Sequence, residues 1–157
     1  MKKLALSAFF FLLFYGGYRT VKNEMLDLKY FSRSEFGVWW PLMSQGLLLK
    51  LDAFREKWGK PVRVSPHPDA IGREDEGSNS MHNVLKWGEV RAVDVFPEGL
   101  DTIGDRQRAL EIARSVGLTG IGLYTDTSPS NMMHLDNRDQ FLYWTRVNGV
   151  YNYWQVL

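Results

Sequence analysis

His82, Asp94 and His134 are the residues in this chain best suited to chemistry. They lie in Ser80-Met81-His82-Asn83, Ala92-Val93-Asp94-Val95 and Met133-His134-Leu135-Asp136. Two imidazoles and one carboxylate are a common ligand set for a catalytic Zn²⁺, whose fourth position stays open to water. The chain has three histidines and no cysteine, so thiolate sites and cysteine nucleophiles are excluded. Water on such a cation ionises near pH 7 and can attack a carbonyl that the metal polarises. A general base beside that water is also needed. Asp136, two residues from His134 and so on the same strand face, is the candidate. Arg73 and Arg138 are candidates for gripping a substrate carboxylate through a guanidinium fork. His67, between Pro66 and Pro68, is held extended and could orient a substrate. Each assignment has a plainer alternative. Asp94 could form an ion pair with Arg91, His134 and Asp136 could be an ordinary polar strand face, and the other three could be solvated surface.

These residues need elements to hold them. Leu47, Leu48, Leu51, Phe54 and Trp58 share a helical face within residues 42–58, and Gly59 with Pro61 stops that helix. Ser32 to Glu35 fits a capping box. Residues 62–64 read as a short strand. Residues 65–80 form the longest irregular stretch, a length that in a compact domain points to function. Residues 92–96 are a strand with Asp94 set inside it, 106–116 an amphipathic helix ending at Gly117, and 120–124 and 132–136 further strands. Asn148-Gly149 between two β-rich runs predicts a type I′ hairpin. Helices first and mixed strands later argue an α+β fold: a small antiparallel sheet with helices on one face.

At 157 residues, with 45% hydrophobic and 14% aromatic residues, the chain is one domain with at most a short appendage. A net charge of +1 without a basic run argues against nucleic acid as a partner. Lys2 and Lys3 precede an apolar run from Leu4 to Phe14, with no small-residue cleavage site behind it. Residues 1–20 therefore read as a hydrophobic signal-anchor-like helix, 21–29 as a linker and 30–157 as the folded domain. The alternative is a hydrophobic helix packed on its own domain. There is no G-x-S-x-G elbow, P-loop or H-E-x-x-H. A glycosidase built on Glu35, Asp94 and Asp136 would leave the histidines unused.

The motifs together resemble the zinc D-alanyl-D-alanine carboxypeptidase and L-alanyl-D-glutamate endopeptidase family, which cuts peptidoglycan stem peptides. Ser80-Met81-His82 matches its Ser-x-His, Ala92-Val93-Asp94 the Ala-x-Asp of its Gly-x-Ala-x-Asp, and Met133-His134-Leu135-Asp136-Asn137-Arg138 the last histidine of its His-x-Asp subgroup. Residues 30–36 look like that subgroup's opening motif. The resemblance spans roughly Tyr30 to Trp144. It implies Zn²⁺ on His82, Asp94 and His134 in a cleft, peptidoglycan peptide as substrate, and a setting at a membrane, in the periplasm or on a virion, for phage lysis or wall remodelling. Three features depart from the pattern. His82 and Asp94 are twelve residues apart, longer than usual, as an insertion around residues 84–88 would produce. Ser65-Pro66-His67-Pro68 lacks the family's substrate arginine, a role that Arg73 could take. Asn131 stands where many members carry a carboxylate three residues before the last histidine. A catalytically silent structural or binding protein of the same fold is the alternative.

Overall fold

A computed structural model describes Asn23 and residues 26–154. The expected N-terminal hydrophobic helix lies outside the described residues. Among those described, no helix is long and apolar enough to cross a membrane. The domain begins earlier than residue 30. Asn23 is buried and its amide donates to the carbonyls of Trp40 (2.9 Å) and Met43 (2.8 Å), and Leu26 and Leu28, within the expected linker, pack on the core.

Two short 3₁₀ turns at Arg33–Glu35 and Gly37–Leu42 lead into helix α1, Gln45–Trp58. This helix starts later than its hydrophobic pattern, because the chain is extended at Met43 and Ser44. Its buried face is the one its spacing predicts, Leu47, Leu48, Leu51, Phe54 and Trp58. Gly59 ends it with φ +74°, a left-handed conformation that costs a glycine little. Strand β1 is Val62–Val64 and helix α2 is the single turn Val84–Trp87. Strand β2 is Ala92–Pro97. Helix α3, Ile103–Ser115, begins before the predicted position because Thr102 caps it: its hydroxyl accepts from the Asp105 amide, and the Asp105 carboxylate accepts from the Thr102 amide. Strands β3 (Gly120–Tyr124), β4 (Met132–Asp136), β5 (Leu142–Val147) and β6 (Val150–Trp154) follow. Asn148 (φ +50°) and Gly149 (φ +78°) close the β5–β6 hairpin as the Asn-Gly pair predicts.

The six strands form one sheet in the order β1-β2-β4-β3-β5-β6. It is mixed, not antiparallel as expected, because β5 runs parallel to β3. After β4, residues 137–141 cross the end of β3 and deliver β5 to its far side. The Thr119 hydroxyl donates to the Arg138 carbonyl at this crossing, and the Leu142 amide donates to the Thr119 carbonyl at 2.8 Å.

Side chains alternate across this sheet. Val93, Val95, Ile121, Leu123, Met133 and Leu135 face one way and join α1, Ala109 and Ala113 in one buried cluster. Both long helices thus cover one face, as the α+β reading predicts. Removing a large side chain there, such as Phe54→Ala, would cost about 3–5 kcal/mol. The opposite face carries Asp94, His134, Asp136 and Trp144.

Candidate metal centre

One row of that second face holds the centre. Asp94 of β2 pairs with His134 of β4, His134 with Gly122 of β3, Gly122 with Trp144 of β5, and Trp144 with Tyr153 of β6. His82 arrives from the loop above. Buried Asn83 sets its position: the Asn83 amide donates to the carbonyls of Asp75 (2.6 Å) and Ser78 (2.8 Å), and its oxygen caps α2 at the Leu85 amide. Residues 84–88, which lengthen the His82–Asp94 spacing, are α2 and the Gly88 that closes it. Trp87 ties this turn back by donating to the Ser80 carbonyl at 2.9 Å.

His82 Nε2, His134 Nδ1 and Asp94 Oδ1 converge. The separations are 3.1 Å between the imidazoles, 3.0 Å from His134 to Asp94 and 3.5 Å from His82 to Asp94. These are the edges of a tetrahedral face around an ion bonded at about 2.0–2.2 Å. The outer nitrogens fix the tautomers. His82 Nδ1 lies 2.6 Å from the Ile71 carbonyl, and His134 Nε2 2.9 Å from Asp136 Oδ2. A carbonyl and a carboxylate can only accept, so both outer nitrogens donate, and each neutral ring turns a lone pair inward. Two lone pairs and a carboxylate oxygen facing one another call for a cation between them, either a proton or a metal. The donor set and its spacing fit zinc.

Without a metal the proton settles on His134. Burial alone would lower its pKa, but hydrogen bonds to Asp136 and Asp94 outweigh burial and raise it to about 9. Burial pushes the Asp94 and Asp136 carboxyls up. Hydrogen bonds from His134 to Asp94, and from His134 and Arg138 to Asp136, overcome this and hold both well below the usual carboxylate range. The competing ion pair of Asp94 with Arg91 does not form, since Arg91 pairs with Glu89 at 3.1 Å.

Asp136 is not placed to act as a base on water. It is fully buried, its Oδ2 accepts from His134, and Arg138 grips both oxygens through Nε and Nη2. It orients the His134 imidazole instead. Arg138 is correspondingly committed to Asp136, although it lines the cleft and stacks over Trp144 at 5.2 Å. His67 is exposed and does not line the cleft. Its Nδ1 accepts from the Asp69 amide at 3.3 Å, capping the turn Pro68–Ala70, so it is no substrate ligand there. Arg73 does line the cleft, and its nearest carboxylate, Asp75, is 3.9 Å away. Asn131 donates to the Leu100 carbonyl at 2.7 Å.

The cleft measures about 430 Å³. Beyond the three converging residues it is lined by Tyr124, Trp144, Tyr151 and Tyr153, and Asp94 is its only carboxylate among the described residues. The four aromatics and two glycines were not singled out from sequence. Gly120 and Gly122 make room for the site: a methyl at Gly120 would overlap the Asp136 carboxylate, and one at Gly122 would come 2.5 Å from the Trp144 ring. Alternation in Gly120-Ile121-Gly122-Leu123-Tyr124 was the available signal, since it leaves the face beside His134 bare. The chain matches no known protein family, curated protein or solved structure in the comparisons made with each.

Proposed function

We propose that this protein is a zinc-dependent peptidase acting on peptidoglycan stem peptides, with its N-terminal segment bringing it to the cell envelope. The observation that carries the metal part is the convergence of His82 Nε2, His134 Nδ1 and Asp94 Oδ1 at 3.0–3.5 Å, with both outer imidazole nitrogens bonded to acceptors. The peptide part rests on the sequence resemblance and on a cleft of about 430 Å³ beside the converging residues. Bound zinc would supply Lewis acidity and lower the pKa of water to about 7. The chain's own residues orient the imidazoles through Ile71 and Asp136, present Arg73 to an anionic substrate group, and wall the cleft with aromatics.

One observation favours a silent binding protein of the same fold. Asn131 is tied to a carbonyl and Asp136 is enclosed, so no second carboxylate lines the cleft among the described residues. Zinc content and peptide release from purified peptidoglycan separate the two readings. The peptidase reading expects stoichiometric zinc, release that stops with a chelator, and loss of both in His82→Ala or His134→Ala. Zinc without release supports the silent reading, and a folded protein that takes up no zinc overturns both.

A further inference from the structure

Tyr124 stands out among the cleft residues that hold no metal. On β3 it is two positions from Gly122, and so on the same face as the converging ligands. The Trp144 indole N–H lies 3.1 Å from its hydroxyl oxygen. An indole nitrogen can only donate, so the phenol oxygen accepts, and the phenol's own hydrogen remains for another partner. Trp144 also packs against His134, with ring centroids 5.0 Å apart. The indole therefore bridges the metal-facing imidazole and the phenol. Gly122 permits this, because any side chain there would collide with the Trp144 ring. Tyr151 packs edge-on at 6.1 Å and is the alternative acceptor for the phenol hydrogen in the resting cleft.

We infer that Tyr124 stabilises the negative charge that develops on the substrate carbonyl oxygen, donating a hydrogen bond as a neutral phenol. Peptide hydrolysis passes through an oxyanion, and preorganised donors aimed at that oxygen are among the largest contributors to catalysis. With Asp136 enclosed and Asn131 turned to Leu100, Tyr124 offers a hydroxyl held in place by the side chain of a second cleft residue, one that itself packs on His134. No proton needs to leave it, so the phenol acts unchanged through the cycle. This inference rests on the metal-peptidase reading above.

The test compares zinc-loaded wild type, Tyr124→Phe, Trp144→Phe and Tyr143→Phe. Zinc stoichiometry, stem-peptide turnover, and binding of a phosphinic dipeptide that mimics the tetrahedral oxyanion are measured for each. Tyr124→Phe should keep its zinc and its KM while kcat falls about 10²-fold. Its affinity for the phosphinate should fall by a similar factor. Trp144→Phe should lie between it and wild type, and Tyr143→Phe, on the helix-side face of the sheet, should match wild type. Unchanged kcat and phosphinate affinity in Tyr124→Phe overturn the inference and leave the peptidase reading intact. If the wild type holds zinc but turns nothing over, phosphinate binding decides: a loss confined to Tyr124→Phe and Trp144→Phe supports the inference, and equal binding or none overturns it. Absence of zinc in the wild type overturns both the inference and the reading beneath it.

Discussion

Asp136 accepts from His134 on one side and Arg138 on the other, out of reach of solvent, so replacing it acts on a proposed metal ligand. Asp136→Asn removes the charge that makes the imidazole more basic and leaves Arg138 partnerless. Zinc affinity should fall about 10–100-fold, the usual cost of losing such an outer partner. The pH dependence offers a second signature. In the metal-free protein His134 keeps its proton until about pH 9, and zinc must displace that proton. Wild-type affinity should therefore rise about tenfold per pH unit below pH 9 and level off above it. In Asp136→Asn the plateau should begin at lower pH, since one of the groups raising the His134 pKa is gone. Competition against a chromophoric chelator across pH reads both effects; full affinity with lost turnover would restore Asp136 as a base. The three converging residues were legible in the sequence because a carboxylate and a histidine inside apolar strands need a reason to be there. The role of Asp136 was not, since the two-residue spacing puts it beside His134 without revealing that Arg138 folds back onto it.

Strand β3 shows the same limit at the level of elements. Its existence follows from its composition, but its neighbours follow from the crossing of residues 137–141, which no local pattern announces. The β3–β4 pairing sets Gly120 against Asp136, and the crossing sets Gly122 against Trp144. The helices and the Asn-Gly hairpin were legible because their signals are local: an apolar face, a left-handed stop, a turn that needs positive φ. Gly120→Ala tests the strand's contribution. The added methyl has nowhere to go but into the Asp136 carboxylate, which is itself clamped by Arg138 and His134. Overpacking of this kind costs about 1–3 kcal/mol. Breaking the buried pair as well would bring the loss toward about 3–5 kcal/mol. A drop in the denaturation midpoint together with zinc loss is expected. A stable variant with full zinc affinity would mean that Asp136 can move aside without cost to the ligand it supports.

At the scale of the whole molecule, the sheet separates two jobs. Its helix-side face joins α1 and α3 in one continuous apolar cluster, and its other face carries the converging His–His–Asp group. Two of the three converging residues, Asp94 and His134, sit on adjacent central strands already held by the sheet, and only His82 comes from outside it. A metal there would pin the loop above the sheet more than it would hold the sheet together. Chelation should therefore leave helical circular dichroism intact while amide exchange quickens through residues 71–83, above all at the amides of Arg73 and Asn83. The thermal midpoint should still drop, because a ligand bound to the folded state alone stabilises it by about 4 kcal/mol at a thousand times its Kd. The contrast between a lowered midpoint and a preserved core distinguishes a working cation from a structural one. Cooperative unfolding of both helices on chelation would show instead that the apolar cluster cannot stand without the metal, and the division of labour across the sheet would fall with that result.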